Sequence, residues 1–78
     1  MDALDTLLVA LRKERCKYLA EGLALPNFLI KISSKFRADL FMNNKIARYY
    51  VIWPDGRESF CSYEVIVNSN QKADYIFE

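Results

Sequence analysis

Lys45 to Asn68 read KIARYYVIWPDGRESFCSYEVIVN. Two runs rich in Val, Ile, Tyr, Phe and Trp flank Pro54-Asp55-Gly56. This is a β-hairpin pattern, because β-branched and aromatic side chains suit a pleated surface and the Pro/Asp/Gly cluster interrupts it. Pro54 presets φ for the first corner of the turn, Asp55 suits the second, and Gly56 accepts the positive φ that closes a three-residue loop. The turn sets the register, with Trp53 opposite Arg57, Tyr50 opposite Phe60 and Tyr49 opposite Cys61. Strands are expected at about residues 45–53 and 57–67.

Immediately upstream the pattern admits two readings. Pro26 can open a helix whose apolar stripe is Leu25, Leu29, Ile32, Phe36 and Leu40, but this leaves Ile30 and Phe41 on the wrong side. Alternation is cleaner. Phe28, Ile30, Ile32, Ser34, Phe36, Ala38, Leu40 and Met42 are all apolar or small, and the residues between them are mostly polar. Strands at about 27–33 and 36–42 follow, joined to the hairpin by a two-residue turn at Asn43-Asn44, since Asn tolerates positive φ. That register pairs Asp39 with Arg48, Phe41 with Ile46, Arg37 with Tyr50 and Phe36 with Val51.

The N-terminal segment is helical by period. Asp2 suits an N-cap with Asp5 three residues on, Leu4, Leu7, Leu8, Leu11, Tyr18 and Leu19 share a side, and Gly22 ends the run. A helix over about 3–21 is therefore expected to lie on the sheet, with Arg15 inside its apolar stripe by angle, either snorkelling past the sheet's edge or marking where the helix leaves the core for a partner. The expected fold is α+β: one N-terminal helix on an antiparallel meander of three to five strands, with a short element at 72–77. The alternative is two helices followed by a β-hairpin. Either way, 78 residues make one small domain.

Composition narrows the chemistry. There is no histidine, so the usual general base near neutral pH is missing, along with Ser-His and Cys-His nucleophile pairs. Only Gly22 and Gly56 are glycine, which excludes a Gly-rich phosphate loop. Cys16 and Cys61 stand apart and read as thiols in the fold rather than metal ligands or a disulfide. Asp39, Glu58 and Glu64 read as cross-strand or solvated charges rather than an acid/base pair. No enzyme activity, cofactor or metal is expected. No apolar window approaches a membrane span, and the acidic N-terminus does not resemble a secretory signal, so a cytoplasmic protein with no membrane partner is expected.

What remains is binding. Net charge is +1, but residues 12–48 carry nine Lys or Arg against three acids, whereas both flanks are acidic. In the expected sheet one face holds Val51, Trp53 and Ser59 under the helix. The other holds Arg37, Phe41, Arg48, Tyr50, Ile52 and Phe60, an aromatic surface with an arginine rim that is too apolar to meet only water. These six residues are the expected contact set for a protein partner. The chain then acts as a regulator or inhibitor that occludes a surface, of a kind phages and mobile elements often carry. Arg12, Lys13, Lys17, Lys31 and Lys35 form a secondary basic surface. A second copy of the chain is a further candidate for the open face, giving a homodimer. Nucleic acid is the alternative ligand, since aromatics beside Arg and Lys on a sheet can stack bases and follow phosphates.

Overall fold

The structure, a computed structural model, describes residues 2–22 and 29–78. In chain order they form α1 (Ala3–Ala20), β1 (Ile30–Ile32), α2 (Ser34–Phe41), a 3-10 turn (Ile46–Arg48), β2 (Tyr50–Ile52), β3 (Glu58–Phe60), β4 (Tyr63–Val67) and β5 (Tyr75–Phe77). The expected α+β class and the N-terminal helix are present. The sheet runs β2-β3-β4-β1-β5, antiparallel except where β1 lies parallel to β4. The expected start of a strand or helix at residues 25–28 lies outside the described residues.

α1 begins where the sequence places it. The Asp2 carboxylate accepts the Asp5 N–H at 2.9 Å, satisfying one of the helix's free donors and holding that carboxyl below its ordinary range. Leu4, Leu7 and Leu11 are buried, whereas Leu19 and Arg15 are exposed. The second half of α1 therefore projects past the core it covers at its start.

The expected strand at 36–42 is instead the helix α2, so there is no Asn43-Asn44 hairpin and no Asp39–Arg48 pair among the described ion pairs. Ser33 decides the matter locally. Its hydroxyl oxygen accepts the Phe36 N–H at 3.1 Å, and Phe36 and Leu40, one helical turn apart, are both buried. Both upstream patterns are thus real but apply to successive segments, with alternation through Ile30 and Ile32 and a helical period from Ser34. At the far end of α2 the Asn43 side chain donates to the Asp2 carboxylate at 2.6 Å, tying the two helices together.

The expected long strand at 57–67 is broken by a tight turn. Cys61 and Ser62 have φ of 50° and 72°, and Phe60 pairs with Tyr63 across them. Positive φ at both central residues is what a two-residue hairpin of matching twist requires, and it is uncommon for residues with a Cβ. This turn reverses the expected faces. Phe60, Tyr63 and Val65 now share a side with Tyr50, Ile30 and Ile32, and that side packs on Leu4, Leu7, Leu11, Phe36 and Leu40 to form the core. Val51, Ser59, Glu64, Ile66, Lys31 and Ile76 lie on the opposite, open side.

Candidate functional site

The hairpin around Pro54-Asp55-Gly56 has the register read from the sequence. Tyr50 pairs with Phe60, the Cys61 N–H donates to the Tyr49 carbonyl at 2.9 Å, and the Trp53 N–H donates to the Arg57 carbonyl at 2.8 Å. Asp55 accepts the Arg57 N–H at 3.0 Å and its guanidinium Nε at 2.7 Å, bonds that keep its carboxyl ionised below the usual range. Gly56, at φ 93°, supplies the left-handed position that closes the loop.

Four of the six expected contact residues come together around β2, though as a brace and not as an open surface. Arg37, projecting from α2, meets Glu58 of β3 in a two-point contact, Nε to Oε1 and Nη2 to Oε2, each 2.9 Å. The Tyr50 hydroxyl donates to the same carboxylate. The guanidinium lies 4.7 Å from the Phe41 ring centre and 5.9 Å from that of Tyr50, and Phe41 meets Tyr50 edge-on at 5.0 Å. Arg37's hydrogen bonds hold the Glu58 carboxyl below its ordinary range, and burial followed by the Glu58 carboxylate pushes the Tyr50 hydroxyl well up, so it remains a donor. Phe60 is fully buried and Tyr50 nearly so. Neither can be the accessible anchor expected of it.

Of the expected six, Phe41, Arg48 and Ile52 do face solvent, and Val51 and Trp53, expected under the helix, join them. Val51, Ile52 and Trp53 are consecutive and 43%, 56% and 48% exposed, with Phe41 exposed beside them. Ile52 and Phe41 lie on the helix side of the sheet and Val51 and Trp53 on the open side, so one apolar band wraps the β2 edge. The Trp53 indole N–H donates to the Ser59 hydroxyl at 3.1 Å, which holds the ring against the open face and buries Ser59. Sequence reading assigned Val51 and Trp53 to the covered side because it ran one strand through Cys61-Ser62. Neither Cys61 nor Ser62 is a residue that ordinarily marks a two-residue turn, so no sequence signal opposed that reading.

No family model matches the chain, no curated protein is similar to it, and no solved structure matches it.

Of the expected cations, Arg48 is exposed at the mouth of β2, Arg12, Lys13 and Lys17 are exposed on α1, and Lys35 is exposed on α2. None of them is in a described ion pair. Lys31 sits apart on the open face, 2.6 Å from the Glu78 carboxylate, so the secondary basic set is not one patch. Two shallow depressions flank Tyr49 and Cys61. One, of about 540 Å³, reaches Arg48, Val51, Trp53 and Arg57, and the other, of about 360 Å³, reaches Leu8, Arg12, Arg15 and Cys16. Both cysteines are free, and burial pushes the Cys61 thiol up, away from the reactive thiolate. Among the described residues there is no cluster of three or more potential metal ligands and no helix long and apolar enough to cross a membrane.

Proposed function

We propose that this chain is a non-catalytic, cytoplasmic binding protein, a regulator or inhibitor that works by covering a surface of a protein partner. The contact surface is the apolar band at β2, formed by Val51, Ile52, Trp53 and Phe41. The observation that carries the reading is the exposure of three consecutive large apolar side chains on an edge strand, where soluble domains ordinarily place charges. Arg48 borders the band beside Val51 and Trp53 without an ion-pair partner among the described residues, and Arg12 and Arg15 line the neighbouring depression across Tyr49 and Cys61, which favours a partner that offers apolar anchors flanked by carboxylates. Arg37, Tyr50 and Phe60 serve the surface from below by fixing β2 rigidly, which lowers the ordering cost of binding.

A photo-crosslinking side chain placed at Ile52 or Trp53, in cells that make the protein, tests this. One discrete protein adduct is expected from these positions and none from Lys35 or Glu21. Absence of any adduct at β2 overturns the reading. So does tight nucleic-acid binding at about 50 mM salt that collapses by about 200 mM, which would mean that several phosphates are gripped by the basic residues instead.

A further inference from the structure

We infer that the β2 edge is built to accept one more strand, and that its occupant is the β2 of a second copy, running antiparallel with the two Val51 residues facing each other. The inference rests on the reading of β2 as an interface and says what pairs with its backbone edge.

Ladder bonds to β3 recur at alternate residues. The Tyr49 and Trp53 bonds to Cys61 and Arg57 therefore place Val51 in the inward set and turn the N–H and C=O of Tyr50 and Ile52 away from the sheet. β2 is an edge strand of the described sheet, so among the described residues these groups form an unpaired row. An extended segment is the protein element that replaces water along such a row.

Self-complementarity selects the second copy. With Val51 opposite Val51, Tyr50 of each strand lies opposite Ile52 of the other, and every outward donor and acceptor of both residues is used at once. A shift of one pair toward the C-terminus meets Pro54, which has no N–H. A shift the other way meets the 3-10 turn that ends at Arg48. Charge sets the direction. β2 itself is uncharged, Arg48 precedes it and the Asp55–Arg57 pair follows it, so antiparallel pairing separates the two Arg48 residues and brings each beside the Pro54-Asp55 corner of the other copy. Parallel pairing would set like charges together. The two open faces then lie on the same side, joined into one surface of ten strands with both Val51 and Trp53 pairs at its centre.

Sedimentation velocity over about 5 to 500 µM protein is the test, because a small interface makes assembly depend on concentration. The wild-type chain is expected to pass from 9.1 kDa to twice that mass, with the emission of Trp53, the only tryptophan, shifting to the blue. Ile52→Pro removes an outward N–H without touching the β2–β3 ladder, and Ile52→Lys puts a charge in the junction while keeping every backbone bond. Each is expected to weaken dimerisation at least about tenfold, with an unchanged far-UV spectrum. In a Cys16→Ser background, Val51→Cys is expected to give a disulfide dimer under diamide and Glu64→Cys none, since facing residues of a non-hydrogen-bonded pair lie within disulfide reach. A wild-type chain that stays monomeric, or a dimer indifferent to both Ile52 variants, overturns the inference. If the chain stays monomeric while β2 still crosslinks to a different protein, the second copy falls and the proposed function stands.

Discussion

At one edge of the sheet, β2 carries Val51 and Ile52 into solvent, followed by Trp53, and nothing charged lies within the strand. At the other edge, β5 is equally apolar in sequence, as Tyr75-Ile76-Phe77, but it is finished differently. Tyr75 stacks on Phe36 at 5.6 Å and on Phe77 at 5.7 Å, both aromatics are half-buried, and the Lys31–Glu78 pair crosses the adjoining open face. The Gln71 side chain donates to the Lys31 and Ala73 carbonyls at 3.1 and 2.9 Å, and the Ser33 N–H donates to the Asp74 carbonyl, so the chain leading into β5 is pinned down as well. The difference shows that two equally apolar edge strands can be finished in opposite ways. What distinguishes β2 is that its bracing lies behind it, in Arg37, Glu58, Tyr50 and Phe60, and leaves its front uncovered among the described residues.

That contrast can be broken by removing the bracing on each side in turn. Phe60→Ala opens a cavity under β2 and is expected to cost about 3–5 kcal/mol in chemical denaturation, against less than about 1 for Ile76→Ala on β5, whose side chain is already partly in water. Equal losses would mean that the two edges rest on the core alike. Next in size is Arg37→Ala, which leaves the Glu58 carboxylate without its two-point partner and strips a cation from Phe41. About 1.5–3 kcal/mol is expected, whereas Lys31→Ala at the exposed β5 pair should cost less than about 0.5.

Acid sharpens the same point. Glu58 in the folded chain titrates below its ordinary value of 4.5 because Arg37 and then Tyr50 hydrogen-bond to it. The unfolded chain therefore binds this proton first as pH drops. The stability Glu58 contributes is present above about pH 4.5 and is lost as pH falls through its lowered folded value. Glu58→Gln should flatten the acid limb of the stability profile, leaving the shares of the exposed Asp2 and Asp55 carboxylates, which are also lowered. A profile unchanged by the substitution would show that the brace is not ionic. Within the brace the smallest effect is expected from Tyr50→Phe, about 1.5 kcal/mol for one hydroxyl bond to a carboxylate, read from the shift in denaturation midpoint at constant slope.

The hairpin through Pro54-Asp55-Gly56 was legible to the residue, because turn chemistry and alternation agree there. α1 was legible for the same reason, with Asp2 and Leu4, Leu7 and Leu11 all consistent with one helix. Two features were hidden. Residues 30–41 hold a strand and a helix in succession, and Phe36 and Leu40 satisfy both periods, so the choice turned on Ser33 as a cap. Cys61-Ser62 has none of the Asn or Gly that ordinarily marks a two-residue turn, so Tyr63 to Val67 read as a continuation of β3. A slip of that kind exchanges the two faces of every strand upstream of it. Arg37, Phe41, Tyr50 and Phe60 were therefore grouped correctly as neighbours, but the buried Tyr50 and Phe60 were assigned to the open face, whereas the exposed Val51 and Trp53 were assigned to the core.

β1 has a consequence for how the chain assembles. Its residues are made early, yet Ile30 finds its neighbours in Val65 and Phe77, both near the C-terminal end of the sequence. During synthesis, an Ile-Lys-Ile segment destined for the middle of the sheet waits unpaired on both sides until the residues of β4 and β5 have left the ribosome. Pairings this distant in sequence close late. In pulsed hydrogen exchange, the amides of β1 should be among the last to acquire protection during refolding and among the slowest to lose it afterwards.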